Sequence, residues 1–165
     1  MFEQSEFAET GQESLAQAGL APAAPLRLLV IDDDNLHRMI ISRVAAKAGY
    51  LPAGAASYDE AAELVQNRTF DCITLDLSLG EHAGVEILRR LWVIGCKVPI
   101  IIISGCDDTV CGDAEKVAES LKLNVWESIA KPVNLAELRD CLERLKATRD
   151  EAALAVLPSD QISPA

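Results

Sequence analysis

The sequence predicts an α/β protein in which five βα units build a doubly wound, five-stranded parallel sheet. Short apolar runs alternate along the chain with segments whose apolar residues recur at helical spacing. The runs at residues 26–31, 70–75 and 98–103 are apolar rather than alternating, which is typical of strands that are buried on both faces. Right-handed crossover connections then place helices on both sides of the sheet.

The elements follow in order from these patterns. The predicted strands cover residues 26–31, 50–56, 70–75, 98–103 and 124–130, and the second of them is the weakest. Gly49 ends the first helix, Ser57 with Glu60 forms a capping box for the second, and Asn134 opens the fifth. The fourth helix is predicted over 113–123. The apolar stripes are Leu36, Ile40, Val44 and Ala48 in the first helix, Val85, Leu88 and Leu91 in the third, and Leu135, Leu138, Leu142 and Leu145 in the fifth.

The chain has 165 residues, enough for one well-buried domain. We place that domain at residues 26–148. Residues 1–25 are rich in Ala, Gln, Glu and Ser and end in a proline-containing stretch, and residues 149–165 also carry prolines. We expect both segments to be flexible tails.

Charge and hydropathy exclude several function classes. The net charge is −11, whereas nonspecific nucleic-acid binding needs a basic surface. The apolar runs are too short to cross a bilayer, and the N-terminus lacks the features of a signal peptide. Five cysteines without a CxxC pair indicate reduced thiols in a cytoplasmic protein. A redox pair of Cys106 and Cys111 is the less favoured alternative.

Polar residues follow four of the predicted strands. Asp32, Asp33 and Asp34 follow the first, Asp76 follows the third, Ser104 closes the fourth, and Lys131 follows the fifth. Because ligands of open α/β sheets bind beyond the carboxyl ends of the strands, we expect these groups to share one crevice. Each also has a structural alternative: Asp33 or Asp34 as a helix cap, Ser104 in a turn, and Lys131 in a solvated loop.

The combination favours phosphoryl chemistry. Clustered carboxylates repel each other unless a cation intervenes, and hard oxygen ligands in a small, partly hydrated site suit Mg²⁺. One aspartate placed against that metal and a lysine could attack a phosphoryl group to form an aspartyl phosphate. The metal, Lys131 and Ser104 would then each meet one phosphoryl oxygen.

These motifs resemble the receiver domain of two-component response regulators over about residues 26–146. The resemblance rests on residues 29–34, on Asp76 followed by Gly84, on residues 100–105, and on Lys131-Pro132. It implies a flavodoxin-like fold with strand order 2-1-3-4-5. It also implies that Asp76 is the phosphoacceptor, that Asp33, Asp76 and the backbone carbonyl of Ser78 bind Mg²⁺, and that Asp32 completes the pocket. Ser104 would contact the phosphoryl group and Lys131 would pair with it.

Three features depart from the family pattern. Ser128 stands where receivers often carry a switching aromatic, and Trp126, at an even offset on the same strand, is expected to share its face. In the loop after Asp76, Gly80 replaces the usual proline and Ala83 the usual acid. The long interval between Ser104 and Lys131 predicts an extended loop at 105–112, as in receivers attached to EAL-type cyclic-di-GMP phosphodiesterases. We expect His37 and His82 to be solvated.

The resemblance implies a single-domain response regulator that is phosphorylated by a histidine kinase or a histidine phosphotransfer protein. It would signal through a separate protein or act as a phosphate relay or sink, without enzymatic turnover beyond its own phosphorylation and slow dephosphorylation. The sequence leaves open whether the chain forms a homodimer. One alternative is a haloacid-dehalogenase-type phosphatase that uses Asp32 and Asp34, although Leu36 does not fit that motif. Another is a scaffold that works without phosphorylation.

Overall fold

The computed structural model describes residues 24–78, 83–105 and 108–155. Within these residues five strands alternate with five helices, which confirms the predicted α/β class. In chain order they are β1 (Leu26–Ile31), α1 (Asn35–Lys47), β2 (Tyr50–Ala55), α2 (Tyr58–Asn67), β3 (Cys72–Asp76), α3 (Ala83–Val93), β4 (Ile100–Ser104), α4 (Asp108–Ser120), β5 (Val125–Ala130) and α5 (Leu135–Ala155).

The sheet is parallel throughout and has the order β2-β1-β3-β4-β5, as the family resemblance implied. The chain builds outward from β1 in one direction to β2 and then returns to lay β3, β4 and β5 on the other side. The topological switch point, where the direction in which strands are added reverses, therefore lies between β1 and β3. Open α/β sheets bind ligands at this position, because the connections leave in opposite directions and open a crevice there.

Two apolar layers cover the sheet. One buries Leu29, Ile73 and Ile102 of the sheet against α2, α3 and α4, and the other buries Val30 and Ile101 against α1 and α5. All five residues of β3 and all five of β4 are buried, as expected for strands covered on both faces. Among the described residues no helix combines the length and hydropathy that a membrane span would need.

The predicted stripe of α1 is confirmed only in its C-terminal half, where Ala48 is buried and Val44 packs against the core. Ile41 and Ala45 are buried, whereas Leu36 is 60% exposed. The N-terminal half of the stripe, Leu36 and Ile40, borders a surface groove that is also lined by Val133 and Leu135. In α5 the stripe behaves as predicted, except that Leu135 at its start is exposed.

Two helix boundaries also differ. The predicted extended loop at 105–112 is wrong, because α4 already begins at Asp108. A helical Gly112 costs only about 1 kcal/mol, which the helix tolerates. The fifth helix, α5, continues to Ala155, so it runs past residue 148, where the sequence analysis places the end of the domain. Arg149 holds this extension by donating a hydrogen bond from Nη1 to Oδ1 of Asp71.

The core of α5 gives a first prediction. Leu142 is fully buried, and its carbonyl accepts a hydrogen bond of 3.0 Å from the Tyr50 hydroxyl, while Leu135 on the same helix is 46% exposed. Leu142→Ala should lower the free energy of unfolding by about 3 kcal/mol because it opens a cavity. Leu135→Ala should lower it by less than about 1 kcal/mol. Urea unfolding checks this, and equal losses would contradict the packing.

The buried thiols give a second prediction. Burial raises the pKa of the Cys72 thiol well above its usual value, and it raises the pKa of Cys141 to about 12. Because the thiolate is the reactive form, both residues should resist iodoacetamide at pH 8 in the folded protein. The folded chain keeps protons that the unfolded chain loses, so stability should also fall as the pH rises above 9.0. Peptide mass mapping checks the labelling, and rapid native labelling of either thiol would contradict it.

Candidate metal and phosphoryl site

Three carboxylates meet at the switch point of the sheet. Asp32, Asp33 and Asp76 each offer an oxygen, and these oxygens lie within 4.8 Å of one another. Asp32 and Asp76 are 1% and 2% exposed, whereas Asp33 is exposed to solvent. The parallel strands therefore bring together the acids that follow β1 and β3, as the sequence predicted. Oxygen donors alone suit a hard divalent cation such as Mg²⁺.

The three consecutive acids after β1 separate into different environments. The Asp32 N–H donates to the Ala55 carbonyl at 3.1 Å, which extends the contact of β1 with β2. Asp34 is the N-cap of α1, and its Oδ1 accepts the His37 N–H at 2.9 Å. That hydrogen bond lowers the pKa of the Asp34 carboxyl. Of the two aspartates that could cap α1, Asp33 and Asp34, the cap is therefore Asp34. Asp32 and Asp33 belong to the acidic cluster.

Lys131 supplies a cation to the cluster. Its backbone N–H donates to the Ser104 carbonyl at 2.8 Å, which fixes the residue beside the end of β4. Its Nζ lies 2.7 Å from Oδ2 of Asp76 and 4.0 Å from Oδ2 of Asp32. The other oxygen of Asp76 accepts the Ser78 N–H at 2.8 Å. The ion pair and the hydrogen bond compensate for the burial of this carboxylate.

Ser104 and Gly105 border the same crevice at the end of β4. Ser104 is 9% exposed and pairs with Ala130 of β5, the residue before Lys131. A Cβ at Gly105 would lie 3.3 Å from the Cβ of Lys131, so the glycine leaves space for the lysine stem. The predictions for Gly80, His82 and a Cys106–Cys111 pair lie outside the residues or side chains that the structure describes.

Two residues of α1 reach the cluster, and neither was assigned to the site from the sequence. His37, expected to be solvated, is only 21% exposed, and its Nδ1 contacts Oδ2 of Asp32. The expectation was wrong because the cap at Asp34 places His37 in the first turn, where side chains lean toward the helix N-terminus. Arg38 donates to the Asp32 carbonyl at 2.7 Å and lies against Gly54 of β2. Once Asp34 is recognised as the N-cap, counting residues from it places His37 and Arg38 near the start of α1, which is the signal that would have found both.

The expectation that Trp126 shares the strand face of Ser128 is wrong. Ile100 pairs with Val125 but Ile101 pairs with Glu127, so a β-bulge lies at Trp126. A bulge shifts the alternation of side chains, and Trp126 packs against the core layer that α1 and α5 cover. On the opposite side, the Ser128 hydroxyl donates to Oε1 of Glu115 in α4 at 2.6 Å.

Comparison with known proteins agrees with this geometry. The family model of the response regulator receiver domain matches residues 28–143. This chain belongs to that family. Receiver domains are generally signalling modules of two-component systems that receive phosphate from histidine kinases or phosphotransfer proteins, and an acidic cluster of this kind is compatible with Mg²⁺.

Individual relatives show how far the likeness extends. The chain is 30% identical over 118 residues to sporulation initiation phosphotransferase F of Bacillus subtilis (strain 168), covering 72% of this chain and 91% of the relative. It is 30% identical over 132 residues to the transcriptional regulatory protein ZraR of Salmonella typhimurium, covering 80% of this chain but only 29% of that relative. A response regulator from Colwellia psychrerythraea has a similar crystal structure, with a TM-score of 0.68 and 27% identity over 76% of this chain and 99% of that one.

The acidic cluster predicts that a divalent cation stabilises the folded protein. Mg²⁺ at 100 times its dissociation constant should raise the free energy of unfolding of the wild type by about 2.7 kcal/mol. Asp33→Asn should raise the metal-free stability by about 1 kcal/mol, because it removes one of three repelling charges, and should abolish most of the Mg²⁺ effect. Denaturant unfolding with and without Mg²⁺ measures both.

The matched control for this experiment is Asp34→Asn. Asparagine caps helices as well as aspartate does, so this variant should respond to Mg²⁺ like the wild type. A response lost in Asp34→Asn and kept in Asp33→Asn would contradict the assignment of the two acids.

Proposed function

We propose that this chain is a response regulator that accepts a phosphoryl group on Asp76 from a histidine of a sensor kinase or phosphotransfer protein. The observation that carries the proposal is the contact of Lys131 Nζ with Asp76 Oδ2 at 2.7 Å, beside two further carboxylates at the switch point. A buried nucleophile, a cation and a metal-binding acid pair are the parts that phosphoryl transfer needs.

The residues present fit Mg²⁺, since the described acidic donors are carboxylates. Asp33, Asp76 and the backbone carbonyl of Ser78 would hold the ion, and Asp32 would complete the pocket directly or through water. When bound, Mg²⁺ would neutralise negative charge on the transferring phosphoryl group. This separates the roles of the two fully buried acids, because Asp32 supports the ion while Asp76 reacts.

The chain's own groups can then carry the transfer. A carboxylate oxygen of Asp76 bonds to phosphorus as the bond from phosphorus to the donor imidazole breaks, and the electron pair of that bond stays with the imidazole. Lys131 already stands at Asp76, where it can neutralise one phosphoryl oxygen. Ser104, at the end of the neighbouring strand, would donate its hydroxyl to another. The proposed chemistry consists of this transfer and the slow hydrolysis of the acyl phosphate.

Phosphorylation would act by shifting a pre-existing equilibrium toward a second conformation of the surface formed by α4, β5 and α5. The Ser128–Glu115 hydrogen bond joins β5 to α4 at this surface. A separate protein would read the change in the cytoplasm, or the chain would pass the phosphoryl group on or act as a sink for it. One relative that this chain matches over 91% of its length is a sporulation initiation phosphotransferase, which supports passing the phosphoryl group on as one of these roles.

The position of Asp34 argues against the phosphatase alternative. That mechanism needs Asp32 and Asp34 to act together, but Asp34 caps α1 through the His37 N–H. The scaffold alternative does not account for three carboxylates kept together at one point, because their repulsion destabilises a fold that does not use them.

Incubation with acetyl phosphate and Mg²⁺ tests the proposal. The wild type should gain one phosphoryl group by intact mass, whereas Asp76→Asn should gain none, because an amide cannot form the acyl phosphate. Asp34→Asn serves as the control and should react like the wild type. Phosphorylation that survives in Asp76→Asn would overturn the assignment, and steady hydrolysis of p-nitrophenyl phosphate that depends on Asp32 would restore the phosphatase.

A further inference from the structure

We propose that His37 is a positioning residue that supplies Asp32 with its own hydrogen-bond donor and thereby keeps Lys131 on Asp76. The inference rests on the proposed function, since it takes the acidic cluster as the metal and phosphoryl site. It concerns a residue of α1 that bonds to a buried acid of that site without being one of the proposed metal ligands.

Asp32 needs donors because it is a carboxylate with 1% exposure. Its Oδ1 accepts the Asp34 N–H at 2.9 Å, so that oxygen is satisfied by the main chain. Its Oδ2 contacts Nδ1 of His37 and lies 4.0 Å from Nζ of Lys131. A carboxylate oxygen accepts hydrogen bonds, so we assign Nδ1 as the donor in this contact. Of the described groups near Oδ2, the imidazole is the one at hydrogen-bonding range.

Lys131 lies where two buried acids compete for it. The ammonium is 2.7 Å from Asp76 and 4.0 Å from Asp32, an unequal division between two carboxylates of equal charge. The imidazole on Oδ2 accounts for this asymmetry, because it meets the hydrogen-bonding need of Asp32. Without it, the energy of a buried and unsatisfied oxygen would draw Lys131 toward Asp32 and away from the phosphoacceptor.

The fold holds His37 in place for this task. Its backbone N–H donates to Oδ1 of Asp34 at 2.9 Å, which fixes the first turn of α1 relative to the acidic run. The next residue, Arg38, holds the Asp32 carbonyl at 2.7 Å. Both the side chain and the main chain of Asp32 are therefore fixed by the same helix turn. The ring stands between the acidic cluster and the groove lined by Leu36, Ile40 and Val133.

Loss of this contact should weaken the metal site, because partners that orient a ligand carboxylate commonly change metal affinity by about 10-fold or more. We would measure Mg²⁺ binding to the full chain by titration calorimetry. His37→Leu, which has similar bulk and no donor, should raise the dissociation constant about 10-fold. His37→Asn places an amide nitrogen near the position of Nδ1 and should stay within about 3-fold of the wild type. Leu36→Ala, which alters the exposed neighbour that lines the same groove, should not change it.

A near-wild-type dissociation constant in His37→Asn would distinguish a positioning role of His37 from a general packing role, because asparagine fills less space than leucine. A dissociation constant for His37→Leu that equals or lies below the wild-type value would overturn the inference. An equal loss in His37→Asn and His37→Leu would overturn it as well. If His37→Leu does not fold, as judged by circular dichroism, His37→Ala replaces it with the same expectation.

Acetyl phosphate labelling of the wild type in the same buffer distinguishes the two proposals. If the wild type is phosphorylated on Asp76 and the His37 series binds Mg²⁺ alike, the inference on His37 alone fails. If the wild type binds Mg²⁺ but is not phosphorylated, the proposed function fails whatever the His37 series shows.

Discussion

The repulsion among three carboxylates at one point is the constraint on which the rest of the site depends. Their oxygens lie within 4.8 Å of one another, and two of the three acids are almost completely buried. Such an arrangement is stable only with donors and cations around it. Lys131 provides one cation, and main-chain N–H groups of Asp34 and Ser78 provide donors. The space that remains is chemically suited to a hard divalent cation and a phosphoryl group.

The parallel sheet is what brings these groups together from distant parts of the sequence. β1 and β3 are neighbours, so the acids that follow them meet, and β4 and β5 carry Ser104 and Lys131 to the same edge. This part was predictable, because strands buried on both faces are apolar throughout and the residue after each strand must lie at the carboxyl edge. The positions of Asp32, Asp76 and Lys131 followed from that rule alone.

Other features depend on contacts that the sequence does not display. The buried face of α1 could not be fixed from periodicity, because the buried Ile41 and Ala45 lie beside the predicted stripe on the same helix. The extension of α5 is held by Arg149 on Asp71, a contact between residues far apart in sequence. His37 enters the site only once Asp34 is known to be the cap. The bulge that turns Trp126 away from the face of Ser128 arises from the register of β5 on β4.

The connection between the site and the proposed output surface of α4, β5 and α5 differs from the usual family pattern at Ser128. At the position where receivers often carry an aromatic, Ser128 of β5 donates a hydrogen bond to Glu115 of α4, so the two elements are joined. The central claim remains the identity of the phosphoacceptor. Its most direct test is to reduce the phosphorylated protein with borohydride, which converts an aspartyl phosphate to homoserine, and to sequence the peptides. The account predicts homoserine at position 76 alone, and homoserine at position 32 or 33, or phosphate retained on His37, would contradict it.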